Sequence, residues 1–287
     1  MIEAREPIRA WLPVDPRRAG ELVDARLQLH HAAQLVAAFG ISYLPAQADD
    51  SHTNMEWLAP LLALASQPAG RPGTRVAVQL HPFALLVLDT DNAAVGTHRL
   101  DAITIEGAAR WVRAQLAQRG FDSARYTLER HYEIPHHRVA DGAAFDADAD
   151  RLEELANWYS NADSMLRQLV AVTPNASPVR CWPHHFDIAT LLEVAPGKTI
   201  SLGMEPGDDY WREPYYYASM SPAPPVDAPR SELAGDGVWN TRDWIGAALP
   251  GSRLTASGQR AQIADFISSA VRACTALLLQ PPTSRSV

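Results

Sequence analysis

Cysteine is nearly absent from the 287 residues: Cys181 and Cys274 are the only two, far apart in the chain. That excludes a disulfide framework and fits a reducing, cytoplasmic setting. No stretch reaches 18 apolar residues without a charge or a breaker, so no membrane span is expected. The opening residues, MIEAREPIRAWLPVDP, lack the apolar segment of a secretory signal, so none is expected. Positive charge is in deficit, with 25 Lys and Arg against 33 Asp and Glu and a net charge of −8 at pH 7. No basic patch is interleaved with aromatics, which argues against nucleic acid or an anionic membrane as partner. Also missing are the Gly-rich dinucleotide fingerprint, the P-loop, the Gly-x-Ser-x-Gly elbow, His-Glu-x-x-His and Cys-x-x-Cys. The expectation is a cytoplasmic globular protein without a familiar catalytic signature.

What is present is an ordinary globular composition, 47% apolar and 20% charged, over a length that can bury a sizeable core. Leu22, Ala25, Leu29, Ala33 and Val36 recur at helical spacing, and Gly40 is placed to end that helix. The short apolar runs MEWLAPLLALAS, TRVAVQLH and FALLVLD follow, and Val76, Val78 and Leu80 alternate as a strand does. TIEGAARWVRAQLAQRG predicts a second helix, capped by Thr104 and closed by Gly120. A third carries the stripe Leu152, Leu155, Trp158, Tyr159, Ala162 and Leu166. FDIATLLEV and TISLGME, joined by APGK with Pro-Gly at its centre, predict a hairpin with a type II turn. PYYYASM adds a further strand, GQRAQIADFISSAVRACTALLLQ a closing amphipathic helix, and residues 281–287 a disordered tail. Strands in runs rather than singly between helices favour an α+β fold with antiparallel sheet. The expected unit is a single domain over 1–287. Its sub-halves, 20–140 and 141–280, share an order of elements compatible with internal duplication.

Two adjacent histidines and an aspartate stand where a core run begins, in SPVRCWPHHFDIATLLEV. With Phe186 to Val194 as a strand, His185 and Asp187 share one face and His184 and Phe186 the other. Pro183 sets them at the strand's mouth, where irregular backbone lets both imidazoles converge. Histidine and aspartate suit zinc or another divalent ion, and a carboxylate beside a histidine orients its ring. The plainer alternative is one histidine bonded to backbone and the other solvated. A second concentration, GMEPGDDYWREPYYYAS, crowds Glu205, Asp208, Asp209 and Glu213 among Tyr210, Trp211, Tyr215, Tyr216 and Tyr217. Antiparallel strands run back past one another, so the hairpin returns this loop towards His184 and His185. There its carboxylates complete a metal site or form an acid–base pair, and its tyrosines wall an organic ligand. In DDSHTNMEW, His52, Asn54 and Trp57 line a pocket from a loop, or His52 is simply solvated. His30-His31 reads as covering the core edge, and HYEIPHHRV as surface loop. DADAD fails as a calcium loop, because Arg151 stands where Gly is needed and Asn157 where Glu is.

In these segments the chain resembles a family of uncharacterised bacterial proteins known only as a domain of unknown function. DDSHTNMEW, SPVRCWPHHFDIATLL, GDDYWREPYYYAS and GVWNTRDWIGAALPGSR carry the resemblance, from Asp49 to Arg253. CWPHHFD and GDDYWREPYYY are the most specific. A shorter, more distant family is similar through Ser-Pro-Val and a following Phe-Asp-[Leu/Ile]-Ala. It has histidine where this chain has Arg180, and it lacks the histidine pair. Members of the first family tend to read Trp-His-Thr where this chain has Trp239, Asn240 and Thr241; Asn240 can keep that histidine's hydrogen bonding but not its acid–base role. The resemblance implies that these segments form one site, and it implies no activity.

The sequence therefore predicts one pocket at the hairpin mouth. Its catalytic set is His184, His185, Asp187 and Glu213, and its ligand-binding set His52, Trp57, Arg180, Tyr215 and Tyr217. A divalent metal such as zinc would take His184, His185, Asp187, Asp208 and Asp209. The leading expectation is a metal-dependent hydrolase-type enzyme acting on a small organic substrate. Its rivals are a metal-free small-molecule-binding protein or enzyme, and a structural or interaction protein whose polar cluster only satisfies buried groups.

Overall fold

The computed structural model describes residues 10–70 and 72–280, so the tail expected over 281–287 lies outside the described residues. In chain order the elements are α1 (Val23–Tyr43), β1 (Met55–Leu58), β2 (Ala63–Ser66), β3 (Arg75–Gln79), β4 (Ala84–Leu88), β5 (Ala94–Arg99) and α2 (Ile105–Gln118). The second half has α3 (Ala149–Val170), β6 (Arg180–Cys181), β7 (Ile188–Ala195), β8 (Lys198–Glu205), β9 (Tyr215–Ser221), β10 (Val238–Asn240), β11 (Gly246–Pro250) and α4 (Gln259–Leu279). Among the described residues eleven strands form one sheet in the order β10-β11-β9-β8-β7-β6-β1-β2-β3-β4-β5. Every pairing is antiparallel. The fold is α+β. Each half runs helix, meander, helix, and the halves join where β1 meets β6 at the single paired position Met55–Cys181.

Strand alternation explains the layering. Ile188, Leu192, Ile200, Leu202, Met204, Tyr216 and Ala218 enter one core with Leu29 and Val36 of α1, Val112 of α2, Leu155 and Trp158 of α3 and Phe266 of α4. The intervening residues Ala189, Ser201, Gly203, Tyr217 and Ser219 therefore lie on the opposite face, away from the helices. In the first half that outer face is closed by a small apolar cluster of Ala63, Ala65, Ala77, Leu86 and Leu88. In the second half it is not closed in this way, and the candidate site occupies it.

Local signals held at several ends. Thr104 Oγ1 accepts from Gly107 N at 3.1 Å to cap α2, and Asp148 Oδ1 accepts from Arg151 N at 3.0 Å to cap α3. Gly197 in the β7–β8 turn has φ of +70°, as a type II turn requires. Gly40 behaves differently from expectation: α1 continues through it to Tyr43. A Cβ there would sit 2.4 Å from His52 O, so the glycine serves to seat the Ser51–Thr53 turn against the helix. Among the described residues α4 alone is long and apolar enough to cross a membrane by length and composition. Its Ile263, Phe266, Ala270 and Cys274 are buried in the core, whereas Asp265, Ser268 and Arg272 face outwards.

Candidate functional site

β6 and β7 form a hairpin, with Arg180 opposite Ala189 and Cys181 opposite Ile188, and Trp182–Asp187 is its loop. The strand thus starts at Ile188, two residues later than the sequence pattern predicts, so His184 to Asp187 do not alternate between faces. Phe186 has φ of +70°, a left-handed conformation that is costly for a bulky residue. Its surroundings hold it there. Its ring stacks on His30 at 4.5 Å and 4°, and its carbonyl accepts from the Tyr159 hydroxyl at 2.7 Å. Pro183 O accepts from His30 Nε2 at 2.8 Å and from Gln34 Nε2 at 2.9 Å. A carbonyl only accepts, so Nε2 carries the proton. Burial lowers the His30 pKa to about 3, which keeps the ring neutral. His30 therefore fixes the loop from α1 rather than merely covering the core edge.

Within that loop the two imidazoles do converge, with ring centroids 4.4 Å apart at 52°. His184 is half-buried, and burial, then the neighbouring His185, lowers its pKa to about 4. A neutral imidazole at pH 7 offers one donor and one acceptor.

The carboxyl groups follow from the ladder. Ile188 faces Met204 and Glu205 faces Tyr215, so Asp187, one step before Ile188, comes opposite Glu205. Asp187 and Glu205 are each only 6% exposed. Tyr217 donates a short hydrogen bond to Asp187 Oδ2, while Oδ1 is buried without a partner. The Ser201 hydroxyl lies 3.2 Å from the Tyr217 hydroxyl. Burial raises the Asp187 pKa against the opposing pull of the Tyr217 bond and of His185. Glu205 is raised well above the usual carboxyl range by burial, then by the charges of Asp187 and Asp208, with Arg26 opposing. The charge of Asp187 adds to the cost of ionising Glu205 in this dry setting. Gly203 makes room for this arrangement: a Cβ there would lie 2.7 Å from Ile188 O and 2.9 Å from Tyr217 Cε1.

These groups open into one cleft of about 870 Å³ on the outer face of the sheet. Of the expected residues, His184, His185, Asp187, Asp208, Arg180, Tyr215 and Tyr217 line it, and Glu205 joins them. Four others stand elsewhere. Glu213 accepts from Ser252 N at 2.6 Å and from Ser252 Oγ at 2.8 Å, so its carboxylate braces the turn after β11. Asp209 is exposed and outside the cleft lining. Trp57 is buried in the core, stacked on Tyr159 at 5.5 Å. His52 accepts from Gln47 N at 3.2 Å, while its neighbours Asp49, Ser51 and Asn54 form that wall. Asp208 reaches the cleft with both oxygens engaged: Oδ1 by Tyr210 N and Trp211 N, Oδ2 by the Tyr215 hydroxyl at 2.5 Å.

Sequence reasoning missed Trp182, Ser201, Ser219 and Trp244 in the lining. Ser201 and Ser219 were recoverable, since small polar residues on the outward parity of a strand leave a hollow. Trp244 is held by Asn240, whose Nδ2 donates to Trp244 O at 2.8 Å and Arg242 O at 2.9 Å. Among the described residues no three His, Cys, Asp or Glu side chains gather into a group that could hold a metal ion. The imidazole doublet lacks a third ligand because Asp187 and Asp208 are tied to tyrosines and Asp209 faces away. No protein-family model, curated protein or solved structure matches the chain.

Proposed function

We propose that the chain is a metal-independent small-molecule-binding protein or enzyme whose site is the cleft on the outer face of β7, β8 and β9. The observation that carries this reading is the buried Asp187–Glu205 pair. It opens, with the Tyr217 hydroxyl, into a hollow of about 870 Å³ that also contains His184 and Arg180. Convergent polar groups at the base of an aromatic-walled cleft are the usual form of an organic-ligand site. Burial favours the protonated form of both carboxyls, which can then donate as well as accept, and the neutral His184 ring beside them offers one donor and one acceptor, a set suited to acid–base work. That no third ligand joins the histidines among the described residues weighs against the metal-dependent version.

The test is a thermal-shift screen of soluble organic metabolites with EDTA present, repeated on Ser219→Trp, which fills the cleft floor. Ligands that raise the melting temperature of the parent protein and not of the variant are the expected result. Stabilisation only after zinc is added, or equal stabilisation of both proteins, would overturn the reading.

A further inference from the structure

We infer that the cleft takes a small organic molecule bearing a protonated amine, seated between the Asp187 and Glu205 carboxyls and the surrounding aromatic rings. This rests on the cleft being a small-molecule site and adds the chemical class. Asp187 lines the cleft and is 6% exposed, yet its Oδ1 has no hydrogen-bond partner. An acceptor buried in this way costs about 1–3 kcal/mol unless a donor reaches it. Glu205 stands opposite it, equally buried, and no ion pair within 4 Å reaches either carboxyl among the described residues. Asp187, Glu205 and Asp208 all line the cleft, and Asp187 and Asp208 both act on Glu205. The buried Arg26 of α1 feels the charge of Glu205 and then that of Asp208. Burial raises the pKa of both carboxyls, so their ionised forms lack a charge partner that an incoming cation would supply.

The walls point the same way. Trp182, Tyr210, Tyr215, Tyr217 and Trp244 line the same cleft, and aromatic rings attract an ammonium group more than a neutral one. An ammonium has N–H donors for the unpartnered Asp187 oxygen and for Glu205, and no lone pair to clash with them. A neutral hydroxyl could satisfy one oxygen but brings no charge to favour the ionised carboxyls.

The groups facing the pair are Arg26 from α1, Tyr159 from α3, Cys181 from β6, His185 from the loop, and Asp208, Tyr215 and Tyr217 from the β8–β9 side. The tyrosines and Cys181 are held protonated by burial, so the carboxyls, whose pKa values burial raises, are the groups that respond to the ligand's charge. A bound cation favours the ionised form of both carboxyls, so a proton carried by either leaves to solvent when the ammonium enters. The balance is one cation bound and up to one proton released, and affinity rises with pH until the pair is ionised.

Isothermal titration at pH 6, 7 and 8, in phosphate and in Tris, measures both affinity and protons released. The probes are benzylamine, phenethylamine and tetramethylammonium, against benzyl alcohol and phenethyl alcohol as neutral counterparts. We expect at least one amine to bind tenfold or more tightly than its alcohol, with proton release. Its affinity should rise with pH, and binding should fall at least tenfold in Asp187→Asn and in Glu205→Gln. Circular dichroism melting of both variants checks that they fold. Equal binding of alcohols and amines, no binding of any amine at millimolar concentration, or affinity that falls as pH rises would overturn the inference. Alcohols binding in preference to amines would do so while leaving the cleft a small-molecule site.

Discussion

His30 offers the sharpest test of how the site is held. In an unfolded chain its imidazole takes a proton near pH 6.5, whereas in the folded chain it does so only near 3. Between those values the unfolded state binds more protons, so folding stability contributed by this residue is complete above about pH 6.5 and is lost as pH falls. The slope is about 1.4 kcal/mol per pH unit, hence a loss of about 2 kcal/mol by pH 5. Asp187 and Glu205 act in the opposite sense: their folded-state values are raised, so their contribution declines as pH rises above the ordinary carboxyl range. The parent protein alone therefore gives a mixed curve. His30→Gln separates the effects, because glutamine keeps an N–H for Pro183 O, does not titrate, and leaves every other ionisable group in place. It loses the stack on Phe186, worth about 0.5–1.5 kcal/mol. The variant should be less stable than the parent by about that amount at pH 8, with the gap closing or reversing by pH 5. Urea unfolding followed by far-UV circular dichroism from pH 8 to pH 4 reads both curves. Parallel curves across this range would show that His30 is not held neutral by burial, and the account of the loop anchor would fail.

Two further substitutions probe the frame around the cleft. Gly40→Ala places a Cβ against the backbone oxygen of His52, which cannot move aside as a side chain end could. A loss of about 1–3 kcal/mol is expected, with faster amide exchange over residues 49–54; unchanged exchange there would mean the turn is not seated by this contact. Glu213→Gln weakens the grip on Ser252, at a cost of about 1 kcal/mol in denaturant unfolding, and should leave the affinity of any cleft ligand within twofold. A large loss of affinity with little loss of stability would instead return Glu213 to the site.

The fold was legible where periodicity speaks. Ile200, Leu202 and Met204 alternate with Ser201, Gly203 and Glu205, which gives both the strand and its inner face. The nearness of the histidine pair to the acidic loop was legible too, because an antiparallel hairpin allows little else. Glu205 and Glu213 were also separable in principle. Glu205 shares the outward parity of Ser201, whereas Glu213 lies beyond the strand and meets Ser252, 39 positions later. What the sequence could not reveal are contacts without local trace. His30 reaches Pro183 across 153 positions, and Tyr159 reaches Phe186 from another helix. Those contacts make the left-handed Phe186 tolerable, and no propensity for phenylalanine would announce it. The two-residue error in the start of β7 follows from the same cause.

The two halves of the sheet supply an internal control on why the cleft exists. They share one order of elements and one outer face, along which Tyr217, Gly203, Ala189 and Arg180 form one row of paired positions. Beyond the β1–β6 join a second row, Glu56, Ala65, Ala77 and Leu86, continues it. In the first half this face closes with alanine and leucine into a fully buried patch, which stabilises by removing apolar surface from water. In the second half the equivalent positions carry Gly203, Ala189, Ser201 and Ser219 on the floor, with Asp187 and Glu205 buried at the end. Leaving Asp187 Oδ1 buried without a donor destabilises the folded chain by about 1–3 kcal/mol. The hollow is therefore a consequence of these side chains and not of the sheet's geometry, which the first half shows can be sealed. A fold able to seal this face, yet carrying unmatched acids beneath an aromatic rim, is one whose missing donors are to be sought in a ligand.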